Sequence, residues 1–312
     1  ELGISVFRVV YGDQIDKIEQ PLYSQPLIFS VEYALTQVWN KLGIHADMVV
    51  GHSIGEITAA CYARAITFED AVSMIVSRAK LMQNVQIEGK MVGIMTDEDT
   101  VRKAIARSGC ENVSIAAVNA PKNVTISGTE EEVDQVIVEL QKENRVFIND
   151  LKILRPYHSV LMKSYEKDYS IELESAASNS KVKYVSGLKG KIVSFDELHQ
   201  KEYWSSLLSG CVDFRASMNE AYKAGARIFI EIGGTATLTA LAKQCLEKDD
   251  CVYVSTLRNN DGDSFYQIME AAKELYLSGI SVDWNQFYET YKKQEVTIPE
   301  YPFKKKVLWK EQ

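Results

Sequence analysis

No stretch of this sequence stays apolar for the roughly 18 residues that a membrane-spanning helix requires, which argues against a helical membrane protein. Positive charge is also short. The 35 lysines and arginines face 43 aspartates and glutamates, for a net charge of −8. The one basic run, Lys304-Lys305-Lys306, is too brief for a nucleic-acid stripe. Cysteine is scarce and unpaired. Cys61, Cys110, Cys211, Cys245 and Cys251 are odd in number and contain no Cys-x-x-Cys spacing. That pattern argues against a disulfide framework or a zinc site and for reduced thiols in the cytoplasm. Repeats and low-complexity tracts are missing, as is any secretory leader at the start. The chain opens at Glu1 rather than Met, which reads as a piece of something longer.

What is present is a globular pattern. The 312 residues are 46% hydrophobic, enough for one large core and a smaller one. Helical and strand-like segments alternate, which predicts an α/β fold. Helices are predicted over 27–42, 67–83, 164–177, 213–224 and 263–277, with a buried strand over 227–231 and a Gly233-Gly234 turn into a helix from Thr237. Between 90 and 153 the texture changes to strand 90–95, helix 100–108, strands 113–119 and 124–127, helix 130–142 and strand 145–153. This is the ferredoxin-like order. The expected organisation is a large α/β-hydrolase-like domain with a parallel sheet (1–89 and 154–290), an inserted ferredoxin-like domain (90–153) and a linker (291–312).

The most informative stretch is Gly51-His52-Ser53-Ile54-Gly55-Glu56, which follows a short apolar strand, Asp47 to Val50, and precedes a helix from Ile57. It is a Gly-x-Ser-x-Gly nucleophile elbow, a sharp turn in which small residues relieve backbone crowding around the serine. The turn lifts Ser53 to a helix N-terminus, where backbone N–H groups favour an oxyanion. The Ile54 N–H, from the residue after the nucleophile, is the expected donor. A serine nucleophile needs a base. Of the four histidines, His52 adjoins the serine and reads as a packing residue, while His45 and His199 lie in polar loops and read as solvated. His158, in Pro156-Tyr157-His158-Ser159, is the best candidate base, since dyads are assembled in space. Arg78 reads either as a solvated helix arginine or as a fork that grips a substrate carboxylate.

Together these residues resemble the malonyl-CoA:acyl-carrier-protein transacylase family, and more narrowly the acyltransferase domain of a modular type I polyketide synthase. The resemblance is carried by Tyr23-Ser24-Gln25-Pro26-Leu27-Ile28-Phe29 with Glu32-Tyr33-Ala34-Leu35, by the elbow, and by Arg78 in an Arg-x-x-Leu-Met pattern. It continues through Asn119-Ala120-Pro121 with Ser127-Gly128, Tyr157-His158-Ser159, Glu231-Ile232-Gly233-Gly234 (Gly where the family has Pro), Val282-Asp283-Trp284 and Tyr301-Pro302-Phe303 with Trp309.

The resemblance implies a ping-pong acyl transfer from a CoA thioester through a Ser53 ester to the phosphopantetheine thiol of an acyl carrier protein, with no bound cofactor or metal. His158 would be acid and base, Arg78 the carboxylate receptor, and the Leu207 carbonyl the group that orients the imidazole. The implied partners are the carrier protein, a ketosynthase and other megasynthase domains. Lys181, Lys183, Lys189 and Lys191 are the candidate docking lysines, and the tail 296–309 is expected to pack on the parent synthase. Ile54 and Tyr157 point to a malonyl extender. Arg155-Pro156 fits neither the malonyl nor the methylmalonyl pattern, so methylmalonyl, or a carrier-bound hydroxymalonyl or aminomalonyl unit, stays open. A serine hydrolase and an inactive docking module are the alternative classes. One departure stands out. The family's opening Gly-Gln-Gly-Ser-Gln loop, whose first glutamine supplies a second oxyanion N–H, has no counterpart, and the chain reads as beginning after it. Losing one such donor is worth about 10²- to 10³-fold in rate.

Overall fold

Local chemistry sets the helices that surround the elbow. The computed structural model describes residues 5–143, 145–173, 180–258, 262–290, 297 and 299–304. Helix Phe68–Gln83 opens on a capping box: Thr67 Oγ1 accepts from the Asp70 N–H at 3.0 Å and Asp70 Oδ2 accepts from the Thr67 N–H at 3.2 Å. Its buried stripe is Met74, Ile75, Arg78 and Met82. Helix Pro21–Lys41 begins six residues before the predicted start and carries Pro26 inside it. Pro21 at the first position suits a helix N-terminus, and Pro26 removes a single N–H near that end, so the helix continues through it.

The ten strands of the described residues form three sheets. The first joins β1 (Met48–Val50) in parallel to β6 (Lys183–Ser186), which turns back on β7 (Lys191–Val193). The second pairs β9 (Ile228–Glu231) in parallel with β10 (Val252–Ser255). The third contains β2 (Lys90–Ile94), β3 (Val113–Ala120), β4 (Asn123–Gly128), β5 (Ile148–Asp150) and β8 (Val212–Asp213), in the order β5-β2-β4-β3-β8. Its first four strands are antiparallel and have the order of a ferredoxin-like split βαβ. The fold is thus the expected mixed α/β architecture with an inserted small domain. The parallel pairing comes in three short pieces, β1 with β6, β9 with β10 and β3 with β8, rather than in one sheet. The small sheet packs Val92, Ile94, Ile115, Val124 and Ile126 against Val101, Ala104, Val133, Val136 and Leu140 of helices Glu98–Ser108 and Glu130–Glu143. Its fifth strand, β8, returns from the large part of the chain and runs parallel to β3 through Ala117↔Val212 and Val118↔Asp213. Helix Phe214–Lys223 follows at once, and its Arg215 reaches Glu98 Oε2 at 2.7 Å.

Several predicted elements change. The strand expected over 145–153 keeps only three ladder residues; beyond them isolated bonds, the Leu151 N–H on Met91 O and the Gly89 N–H on Leu154 O, hold the chain beside β2 as it runs toward His158. A 3₁₀ helix, Val160–Asp168, replaces the first part of the helix expected over 164–177, and 174–179 lie outside the described residues. Most of the segment 291–312, including Val296 and the stretch from Lys305 to Trp309, also lies outside them; Tyr301 and Phe303 are described and exposed. No helix among the described residues is long and apolar enough to cross a membrane.

Candidate active site

β1 ends at Val50 and helix Gly55–Tyr62 starts five residues later, so the elbow has almost no length in which to turn. A Cβ on Gly51 would lie 2.3 Å from both the Cα and the N of Glu56, so no side chain fits there. Gly55 is different: an added Cβ would meet only Glu32 Oε1, at 3.9 Å. Of the two motif glycines, packing demands the first. Ser53 sits in the left-handed region with φ 53°, a strained conformation for a non-glycine residue. The turn is closed by the N–H groups of Gly55, Glu56 and Ile57 on the carbonyls of His52, Ser53 and Ile54. The Ile54 N–H is not one of these donors and stands at the head of the helix.

Behind the turn, the Glu56 side chain is fully buried. It accepts from Tyr184 Oη at 2.6 Å, from Tyr203 Oη, and from the Leu188 N–H at 3.0 Å. Burial pushes its carboxyl up to about 7 against these donors. The elbow helix is thereby tied to β6, to the turn after it and to helix Lys201–Ser206. In the sequence Glu56 is marked only as an acid at an otherwise apolar helix start.

The fold brings His158 to Ser53. Ser53 Oγ lies 2.8 Å from His158 Nε2 across 105 positions of sequence. His158 also has a left-handed backbone, φ 55°, held by its N–H on the Leu208 carbonyl at 3.0 Å. Its Nδ1–H donates to the Gly210 carbonyl at 2.9 Å. The expected orienting carbonyl, Leu207, is therefore corrected to Gly210. Leu207 is the buried, helical C-cap of Lys201–Ser206, so its carbonyl continues the helix direction. The chain turns only afterwards, closed by the Gly210 N–H on Ser206 O at 2.8 Å. A Cβ on Gly210 would fall 2.3 Å from Leu188 Cδ1.

Burial, reinforced by the Arg78 charge, pushes His158 down to about 3, so the imidazole is neutral and free to accept a proton. A lowered histidine value is protonated only at lower pH. The acid limb of kcat/KM for Ser53 acylation is therefore expected well below the ordinary histidine value of about 6.5. A rate–pH profile of acyl-enzyme formation checks this, and a limb centred near 6.5 contradicts it.

Arg78 is not a solvated helix arginine. It is 4% exposed and lies in the apolar stripe of its helix. Nη1 donates to Gln25 Oε1 at 2.6 Å, and Nη2 lies 3.4 Å from Ser53 Oγ. Gln25 in turn donates Nε2 to Met82 Sδ at 2.9 Å. Among the described residues no carboxylate pairs with the guanidinium, and burial lowers its pKa. An unpaired buried cation is costly, so this one is suited to an acid arriving from outside. Gln25 was quoted in the sequence without a role; a glutamine between Leu22 and Phe29 on a core-facing stripe was the signal for it. Tyr157 and Ile54 are half-buried and pack on the large core, Tyr157 close enough to feel the Arg78 charge.

The remaining histidines are accounted for. His52 bonds Asn119 Oδ1 at 3.0 Å and its ring lies 5.8 Å from Phe214, in keeping with a packing role. His45 is exposed on Asn40 Oδ1. His199 is half-buried rather than solvated, because Nε2 meets the Ala65 carbonyl at 2.8 Å. Of the four lysines, Lys189 pairs with Glu197, while Lys181, Lys183 and Lys191 are exposed. Among the described residues no group of three His, Cys, Asp or Glu is placed to hold a metal ion.

Comparison with known proteins gives a consistent result. Residues 1–282 match the model of the acyl transferase domain. The chain is 30% identical over 310 residues, 99% of its length, to the phenolphthiocerol synthesis polyketide synthase type I Pks15/1 of Mycobacterium marinum. It spans 14% of that protein. Among solved structures, the acyltransferase domain from the second module of the salinomycin polyketide synthase superposes with a TM-score of 0.86 at 26% identity, covering 96% of this chain and 70% of that one. The MCAT from Streptococcus pneumoniae shares the fold with a TM-score of 0.76 at 23% identity, covering 86% and 87%.

Proposed function

The chain belongs to the acyl transferase domain family, and from that premise we propose that it moves a malonyl unit from coenzyme A to the phosphopantetheine thiol of an acyl carrier protein, through an ester on Ser53, within a polyketide synthase. The observation that carries the reading is Arg78: a buried guanidinium, without an acid partner among the described residues, 3.4 Å from the nucleophile. A serine hydrolase of simple esters has no use for such a group. A dicarboxylate thioester does, because its free carboxylate neutralises the cation while its carbonyl lies over Ser53.

In the first half-reaction Ser53 Oγ attacks the thioester carbon as His158 Nε2 takes its proton over 2.8 Å. The oxyanion is stabilised by the Ile54 N–H at the head of helix Gly55–Tyr62. The C–S bond breaks, His158 returns the proton to the departing thiolate, and the malonyl ester remains on Ser53. The carrier thiol then gives its proton to His158 and attacks the ester, and Ser53 recovers the proton as it leaves. The Gly210 carbonyl holds the imidazole through both steps. The exposed Lys181, Lys183 and Lys191 are the candidate contacts for an acidic carrier. Neighbouring ketosynthase and other domains follow from the small share of the Pks15/1 relative that this chain represents.

Tyr157 and Ile54, both half-buried against the large core, are the candidate walls against an α-methyl group, which supports malonyl. Arg155 engages the Leu154 carbonyl at 3.2 Å, at the surface, which weakens the reading of a polar α-substituent. Competition between malonyl-CoA and methylmalonyl-CoA for Ser53, followed by intact-protein mass spectrometry, is expected to favour malonyl by about 10-fold or more, the discrimination one methyl group allows. Preference for methylmalonyl, or loading only from a carrier-bound extender, overturns the extender. Failure of every thioester to add mass overturns the transfer.

A further inference from the structure

The Asn119-Ala120-Pro121 segment has no part in the chemistry above, yet from the small domain it touches His52, the residue before the nucleophile. Asn119 stands near the end of β3. Its Nδ2 donates to Asn123 Oδ1 and Thr125 Oγ1, both at 3.2 Å, and its Oδ1 accepts from His52 Nε2 at 3.0 Å. With Nδ2 on these two acceptors the amide oxygen faces His52, an arrangement that pairs with an Nε2–H imidazole. His52 immediately precedes the nucleophile. The same strand end has a second connection. Ala117 and Val118 pair with Val212 and Asp213, and Gly210, two residues before β8, carries the carbonyl on His158 Nδ1. One strand end thus reaches Ser53 through His52 and His158 through Gly210.

We propose that Asn119 is a positioning residue that holds the His52 ring in place, so that Ser53 Oγ stays on His158 Nε2 only while the small-domain hairpin is seated against the elbow. The inference rests on Ser53 and His158 being the reacting pair. Burial keeps His52 neutral, against the Asn119 bond, which favours the charged ring. Helix Phe214–Lys223 presents the uncharged ring of Phe214, and the neighbouring Asp213 caps that helix through the Ala216 N–H at 2.8 Å. Helix Thr237–Leu246 presents Cys245, whose thiol donates to the Asn119 carbonyl and is pushed up to about 12 by burial. The remaining titratable neighbour is His158, whose own protonation a charged His52 opposes.

The test compares Asn119→Ala and Asn119→Asp with the unaltered full chain, measuring the rate of Ser53 acylation by malonyl-CoA with rapid-quench mass spectrometry. Asn119→Ala is expected to slow the saturated rate by about 10- to 100-fold, with half-saturation changing less than about threefold. Asn119→Asp puts a carboxylate on His52 and raises its pKa. Above that new value the unpaired carboxylate eases proton transfer to His158 and below it the neutral ion pair does not, so the variant gains an acid limb near neutrality that the unaltered chain lacks. A fluorophosphonate, which forms an Oγ–P bond with release of fluoride whatever the natural acyl donor, is run in parallel. If the unaltered chain takes the fluorophosphonate but no malonyl, the transfer reading fails while Asn119 is still tested through the same rate differences. Unchanged rates in Asn119→Ala, a loss explained wholly by a smaller folded fraction, or an Asn119→Asp profile that coincides with the unaltered one overturns the proposal.

Discussion

Ser53→Ala should abolish the acyl-enzyme. Incubated with malonyl-CoA, the unaltered chain is expected to gain one malonyl mass at Ser53 and the variant none, a rate loss on the order of 10⁴- to 10⁶-fold, as for other serine nucleophiles. The loss is chemical, not structural. Ser53 is partly exposed, its φ of 53° is no harder for alanine than for serine, and the turn is closed by backbone bonds that the substitution leaves intact. Circular dichroism and the melting temperature should match those of the unaltered chain. A Ser53→Ala protein that still takes up the acyl group would move the nucleophile elsewhere. Cys61, Cys211 and Cys245 are poor substitutes, since burial pushes their thiols up to about 11, 12 and 12.

Arg78→Ala should separate dicarboxylate from monocarboxylate donors. Removing one member of a buried, hydrogen-bonded charge pair costs about 2–5 kcal/mol, because the other charge is left stranded. At about 1.4 kcal/mol per decade, kcat/KM for malonyl-CoA is expected to fall by roughly 30-fold to several thousand-fold. Acetyl-CoA has no carboxylate to strand, so its loss should stay within a few-fold. Relief of the Arg78 charge also lets His158 bind a proton more readily, which partly offsets the loss on both donors alike. Arg78→Lys keeps the charge but not the planar fork, and should fall between the two. Equal losses on both donors would make Arg78 a packing residue. The variant leaves Gln25 Oε1 without its donor, so a modest drop in stability is expected alongside.

The elbow was legible because its constraints are local. Gly51 must be glycine for a contact only five residues away, and a strand, a serine and a helix in succession state the geometry almost by themselves. The ferredoxin-like unit was legible because its two helices and four strands bury one compact core within residues 90 to 150. Other elements were hidden. The start of helix Pro21–Lys41 was hidden because propensity disfavours Pro26 and takes no account of the packing that buries Tyr23, Gln25 and Phe29. β6 and β7 are four and three residues long, too short for alternation to declare itself, and are stabilised by β1 and by each other. The orienting carbonyl was misplaced by three residues. Every residue has a carbonyl, and which one faces an imidazole depends on how the turn after Lys201–Ser206 closes.

The sequence by itself determined the residue types and the segments that bear them: a serine between glycines after a strand, a histidine where the chain leaves the small domain, an arginine on a helix stripe, and an α/β alternation. Covalent spacing and periodicity encode these, since they operate over a few residues. Only the tertiary structure decided that Ser53 and His158 lie 2.8 Å apart, that Arg78 is buried without an acid beside Gln25, and that Gly210 and Asn119 reach the two halves of the dyad from one strand end. Distance, desolvation and hydrogen-bond direction are properties of groups far apart in the chain, and they exist only once packing has brought those groups together.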